Sequence, residues 1–304
     1  MSGTTRLDYL PPERSFLEPD RADAGRPEAA RAVVIPFGLE ATVSYGTGTA
    51  KGPAAILAAS HQLELFDEEL WREPCLDYGI ATIAEPAIAR PVGKALDQLE
   101  AIVEAVVAAE RFPLVLGGEH SLTIGAIRPF VRRHPDLVVL QLDAHADLRD
   151  GYLGEPNSHA AAMRRVLDHD GISLISVGIR AISEAEADFL DANRDRVRVH
   201  WAKDQARWDI EEIVRPLAGR PVYVTFDIDA LDGAVMPATG TPTPGGLEYW
   251  QALAILRRAA EVSRIVGADL VELAPNPGLH VCDYTAAALA YKIMSYALSG
   301  TRRT

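Results

Sequence analysis

Three ionisable side chains alternate with alanine in Asp143-Ala144-His145-Ala146-Asp147, directly after the apolar run 137–142. Alternate residues of an extended segment face the same side, so Asp143, His145 and Asp147 are expected to converge at a strand end. Three such groups on a buried strand are costly without a counter-charge, which a divalent cation supplies. The alternative is an Asp cluster at a helix start, or a surface ion-pair patch. Asp227-Ile228-Asp229 repeats the pattern after the run 221–226, with carboxylates again at i and i+2. Alone, this pair reads as readily as a turn or cap; as a second acidic strand end in one sheet it reinforces the first. A third segment, Leu116-Gly117-Gly118-Glu119-His120-Ser121, places His120 just beyond the run 113–116, with Ser121 also suited to cap a helix. Four aspartates brought together repel one another and resist ionisation, so the set makes sense around more than one cation. Carboxylates with imidazoles are a hard donor set that suits Mn²⁺ best, then Zn²⁺, Fe²⁺ or Co²⁺. Two such ions roughly 3.5–4 Å apart share carboxylates and a water, which loses a proton near neutral pH and becomes a nucleophile.

The elements that must position these residues follow from the patterning. Short β-branched runs at 32–36, 79–83, 113–116, 137–142, 172–177, 197–200, 221–226 and 264–271 read as strands. Amphipathic stretches at 52–60, 92–110, 121–134, 159–168, 183–192, 209–217, 247–262 and 283–298 read as helices, the second with apolar Leu96, Leu99, Ile102, Val103, Val106 and Val107 at helical spacing. Alternation of this kind defines an α/β protein with a mostly parallel sheet. The strands 137–142, 172–177 and 221–226 are apolar throughout, as expected where helices cover both faces. In such sheets ligands bind beyond the carboxyl ends of the strands, where the acidic motifs fall. No composition break or repeat divides the chain, so one domain is expected over 1–304, with an irregular lead-in at 1–30.

Composition removes several classes. The 304 residues carry 30 Lys and Arg against 43 Asp and Glu, a net charge of −13, which argues against a nucleic-acid surface. No uncharged apolar run of spanning length occurs and residues 1–20 lack an apolar signal core, so neither a membrane nor a secretory role is expected. Cys75 and Cys282 make no disulfide framework and carry no assigned role; a reducing, cytoplasmic compartment is expected.

Taken together, the motifs resemble the ureohydrolase family of arginases and agmatinases, over 44–292. Ser44-Tyr45-Gly46-Thr47-Gly48-Thr49 with Gly52-Pro53 is similar to its first signature loop. Gly117-Gly118-Glu119-His120-Ser121 resembles its GG[DE]HS motif, Asp143-Ala144-His145-Ala146-Asp147 its DAHxD motif, and Phe226-Asp227-Ile228-Asp229 with the loop to Gly246 its third metal motif. The resemblance implies a three-layer α/β/α sandwich around an eight-stranded, mostly parallel sheet. It implies two Mn²⁺ per chain, with His120 and Asp147 on one ion, His145 and Asp229 on the other, and Asp143 and Asp227 bridging. It implies hydrolysis of a guanidino compound to urea and an amine, in a homotrimer or homohexamer. Glu272, ending the run 264–271, would grip the planar guanidinium, which paired hydrogen bonds suit. His159 would relay protons or touch substrate, and Asp147 would carry a proton to the leaving amine.

The stretch Leu148-Arg149-Asp150-Gly151-Tyr152-Leu153-Gly154-Glu155-Pro156-Asn157-Ser158-His159 lacks the Asn-Thr-Pro run of arginases and looks like the agmatinase branch. The segment 62–69 also resembles that branch. Agmatine is the substrate this implies, ahead of aminopropylagmatine, guanidinobutyrate and arginine. Asp150 or Glu155 is the candidate for attracting a cationic tail, which the net charge also favours. Two departures stand out: Gly233 where the family has proline, and Ala238 where it has a glycine, a residue that adopts positive φ more easily. Two other classes compete. A deacetylase-like amidohydrolase with one zinc is disfavoured by the paired acids at 227 and 229. A metal-bound protein without catalysis is disfavoured by retention of six ligands with His159 and Glu272.

Overall fold

The structure is a computed structural model and describes residues 6–299; the first five residues of the expected lead-in lie outside the described residues. Eight strands form one sheet: β1 Ala32–Phe37, β2 Ile80–Thr82, β3 Phe112–Gly117, β4 Val138–Leu142, β5 Ser173–Ile179, β6 Val197–Trp201, β7 Pro221–Asp227 and β8 Arg264–Val271. Their order is β2-β1-β3-β8-β7-β4-β5-β6. Every pairing is parallel, where the sequence predicts mostly parallel. Each expected strand is present within a residue or two.

The pleat divides the core in two. Val34, Leu114, Leu140, Val224 and Leu270 face the helices Gly52–Ser60, Ile210–Val214, Tyr249–Val262 and His280–Ser299. Val33, Val115, Val139, Leu174 and Tyr223 face Val92–Ala108, Arg128–Arg133, Ala162–Val166 and Glu184–Ala192. This is the three-layer α/β/α sandwich. In the helix Val92–Ala108, Leu96, Leu99, Ile102, Val103 and Val106 are buried, each side chain contributing about 1.5–3 kcal/mol. Cys75 and Cys282 are buried free thiols. Among the described residues no helix is long and apolar enough to cross a membrane.

The helix expected over 121–134 is broken into a 3-10 turn His120–Leu122, a turn of helix Thr123–Ala126 and Arg128–Arg133. Pro129 lacks the N–H that would continue the ladder to Gly125, and Gly125 lies flat against the Leu96 backbone, where a Cβ would stand 2.5 Å from its carbonyl oxygen. Pro216 likewise gives the expected helix 209–217 a 3-10 end, Arg215–Leu217.

Strand order explains where the chemistry lies. The chain runs from β3 at the third place to β4 at the sixth, and later returns to fill the gap with β7 and β8. That gap is the switch point where a crevice opens at the carboxyl ends of the strands. Register then aligns the motifs. Leu142 pairs with Phe226, Phe226 with Leu270, and Leu270 with Leu116, so all four motifs emerge from one level of the sheet.

Candidate metal centre and cleft

His120 leaves β3 through Gly117-Gly118. The backbone of Gly118 lies so close to Leu39 that a Cβ there would stand 2.0 Å from the Leu39 carbonyl oxygen, so only glycine fits. From β4 and β7 the acid pairs turn inward by one device: the Asp143 carboxylate accepts from the His145 N–H at 2.7 Å, and the Asp227 carboxylate from the Asp229 N–H at 2.9 Å. Convergence of Asp143, His145 and Asp147 therefore comes from a turn; the strand ends at Leu142. Asp147 (φ 54°) and Glu272 (φ 66°) have left-handed backbones, a strained state for non-glycine residues costing on the order of 1–3 kcal/mol each.

Two triads result, His120–Asp143–Asp147 and Asp143–His145–Asp229, each with ligand atoms within 4.8 Å of one another. They share Asp143. Around His120 Nδ1 stand Asp147 at 3.0 Å, Asp143 at 3.2 Å and Asp227 at 3.3 Å. His145 Nδ1 lies 3.0 Å from Asp229. Residues outside the sequence motifs fix these donors. Gln141 donates to Asp143 at 2.8 Å, and Ser176 donates to Gln141. Thr225 gives its proton to the buried Asp269 at 2.6 Å, so its oxygen accepts from His120 Nε2 at 2.8 Å. The Arg180 guanidinium binds the carbonyls of Asp229, Leu231 and Thr243 and pins the loop beyond β7.

The His120 arrangement tests what the cage can hold. With Nε2 donating to Thr225, Nδ1 is a buried lone pair without a hydrogen-bond partner, facing three carboxylates that also only accept. Positive charge must enter, as protons or as a cation. Burial and the charge of Asp147 push Asp143 up to about 7, and burial and Asp229 raise Asp227 well above the ordinary range. Burial alone would lower His145 and His120, but the carboxylates outweigh it, lifting His145 to about 10 and His120 well above the imidazole range. Two carboxylates and two imidazoles drawing protons this strongly, in a cage whose other donors are carboxylates too, fit a pair of divalent cations.

Above the cage opens a cleft of about 440 Å³, lined by Glu272, His159, Tyr152, Tyr45 and Arg149 among others. Glu272 accepts from the His120 N–H at 2.7 Å, and burial pushes its carboxyl up to about 8. His159 stands at the wall, its ring met edge-on by Tyr152. Glu186 also lines the cleft, but its oxygens are taken by the Leu148 N–H, the Ser183 hydroxyl and the Ser183 N–H, the last as part of the capping box of helix Glu184–Ala192. Asp150 is not brought to the cleft. Its exposed carboxylate is held by Arg165 at 2.6 Å, and it does not line the cavity. Glu155 is turned to its own loop, accepting from Asn157. Ala238 keeps φ negative, so glycine's freedom is not needed there; the mouth instead depends on Gly46, where a Cβ would stand 2.7 Å from the Gly240 oxygen.

An eight-stranded parallel α/β/α sheet whose switch-point crevice carries two carboxylate–imidazole triads defines a binuclear metallohydrolase scaffold. The arginase family model matches residues 30–299, and the chain belongs to the arginase family. It is 39% identical over 280 residues to the N(1)-aminopropylagmatine ureohydrolase of Synechocystis sp., covering 88% of this chain and 89% of that protein. It is 37% identical over 257 residues to an agmatinase of Bacillus cereus, covering 82% and 85%. The solved agmatine ureohydrolase of Thermoplasma volcanium superposes with a TM-score of 0.82 at 31% identity, covering 91% and 93%. The chain is thus a hydrolase acting on guanidino C–N bonds, in a family that depends on a binuclear metal centre.

Proposed function

We propose that this protein hydrolyses agmatine to putrescine and urea with two Mn²⁺ per chain. The observation that carries the reading is the pair of triads sharing Asp143, with the Glu272 carboxylate over one side of them. In it, His120 and Asp147 would hold one ion, His145 and Asp229 the other, and Asp143 and Asp227 would serve both. Such ions supply acidified water and offset charge at the reacting carbon. The chain's own groups do the rest. Glu272 takes two N–H groups of the planar guanidinium and fixes its carbon over the cage. Asp147, within reach of both cage and cleft, passes a proton to the departing amine nitrogen. His159 exchanges protons with solvent at the cleft wall, where an imidazole works near its own pKa range.

The tail is the open variable. Among the described residues, the carboxylates lining the cleft are cage acids, Glu272 and the already engaged Glu186, so a cationic tail is held by the acidic field of the whole chain and by aromatic faces such as the largely exposed ring of Tyr45. An open rim also admits an aminopropyl extension, which the Synechocystis relative's name makes the second reading. The enzyme acts in the cytoplasm, as one domain assembled into trimers or hexamers. Urea release over a panel of agmatine, aminopropylagmatine, guanidinobutyrate and arginine, with added Mn²⁺, tests the assignment. Agmatine is expected to give the highest kcat/KM; no urea from any of the four defeats it.

A further inference from the structure

Glu119 lies beside the ligand His120, yet its carboxylate points away from the cage and is fully buried. One oxygen accepts from the Ala41 and Thr42 N–H groups, both at 2.6 Å. The other accepts from the hydroxyls of Thr42 at 2.8 Å and Ser121 at 2.5 Å. Thr42 is the connection to the cleft. Its Oγ1 also accepts from the His159 N–H at 3.0 Å and lies 3.1 Å from His159 Nδ1. A threonine hydroxyl has one proton to give, and a carboxylate at 2.8 Å outcompetes a neutral ring nitrogen at 3.1 Å for it. With that proton committed, the oxygen can meet Nδ1 only as an acceptor. Nδ1 must then carry the ring proton, and Nε2 is left as the bare nitrogen. The Ser158 hydroxyl stands 3.4 Å from the same Nδ1, farther than Thr42, and makes the weaker contact.

We propose that Glu119, acting through Thr42, is a positioning residue that sets the tautomer and aim of His159. The Tyr152 ring packs edge-on against the imidazole with centroids 6.1 Å apart, so rotation is restrained from the other side as well. The consequence for turnover rests on the reading of His159 as proton carrier: the cleft is presented with a ring nitrogen ready to accept a proton, without a tautomeric step first. The tautomer itself does not depend on that reading.

The test combines two measurements on the full chain. With Zn²⁺ bound as a diamagnetic ion, ¹⁵N-histidine NMR, assigned by loss of the signal in His159→Asn, is expected to show Nδ1 protonated. Thr42→Ser keeps this pattern, and Thr42→Val loses it. Glu119→Gln is the sharper variant. Its amide oxygen is drawn to the two backbone N–H groups, so its NH₂ faces Thr42, and the hydroxyl must turn its proton to His159. The tautomer is then expected to invert to Nε2–H with the fold intact. In the Mn²⁺-loaded enzyme, Thr42→Val and Glu119→Gln are expected to lower kcat by at least about tenfold, with KM and metal content little changed and Thr42→Ser near wild type. Nε2–H in the wild type overturns the proposal, as does an unmoved tautomer or an unmoved kcat in Glu119→Gln. A wild type that releases no urea from any guanidine defeats the proposed reaction instead, and the NMR result still decides the tautomer.

Discussion

On the floor of the cleft four of the six donors aimed at the cage are held by a second group: His120 by Thr225, Asp143 by Gln141 and the His145 N–H, Asp227 by the Asp229 N–H, Asp229 by the Ala144 N–H. These groups sit at the carboxyl ends of β3, β4 and β7. The rim is made from loops: Tyr45 is 84% exposed, and Arg149 faces the Tyr152 ring with its guanidinium only partly covered. Preorganisation concentrates where charge must be gathered and is slack where the tail passes. On the proposed reading, the floor carries the reaction and discrimination between guanidines belongs to the rim.

Replacing the shared ligand breaks the floor most severely. Asp143→Ala is expected to abolish urea release and to lower bound metal on elemental analysis; retained turnover would contradict the shared-ligand role. In the proposed role of Glu272, Glu272→Gln should reduce activity by roughly a hundredfold or more through loss of charge-assisted pairing to the guanidinium, while metal content survives. Loss of metal in that variant would move Glu272 from substrate to cage. Thr225→Val, which removes the acceptor for His120 Nε2 and a donor to the buried Asp269, is expected to weaken metal binding about 10- to 100-fold, read by metal titration of the apoprotein.

Removing the metal exposes the floor's proton demand. Asp143 and Glu272 have folded values near 7 and 8, above those of the unfolded chain. The folded protein then binds more protons than the unfolded one above about pH 4, so the apoprotein loses stability as pH rises through 7–8. His145, raised to about 10, works in the same sense: its contribution is complete below the ordinary imidazole value and fades as pH approaches 10. Cations displace the protons on the cage ligands, so the stabilisation by Mn²⁺, read as a rise in Tm, should be larger at pH 8.5 than at pH 6, by up to about 1.4 kcal/mol per pH unit for each proton displaced. A pH-independent rise would contradict this. At the rim the effects shrink: Tyr45→Ala is expected to raise KM a few-fold with kcat kept, and Asp150→Asn to change neither.

Much of the floor was legible because it is local. Asp143, His145 and Asp147, or Asp227 and Asp229, lie within a few residues of each other, and each follows an apolar run that announces its strand. The eight strands were legible for the same reason. What lay hidden was contact across distance. Nothing near Thr42 in the chain indicates that it would meet a histidine 117 positions away, and Asp269 sits in a run that reads as plain buried strand. Neither Asp150 nor Glu155 lines the cleft, which charge in a loop could not reveal, because it says nothing of direction; the Arg165 that claims Asp150 comes from the next helix. Gly118 was visible as a flexible residue, but its requirement is room, set by Leu39.

The left-handed backbones at Asp147 and Glu272 place two of the working carboxylates in conformations that most side chains avoid. Glycine would sit there more comfortably, and removing a buried acid would relieve crowding too. Directed evolution for heat resistance alone, with catalysis unselected, should therefore drift towards Asp147→Gly and Glu272→Gly, yielding sturdier proteins that have forgotten their chemistry. Screening for thermal tolerance and for urea release would pull these two codons in opposite directions.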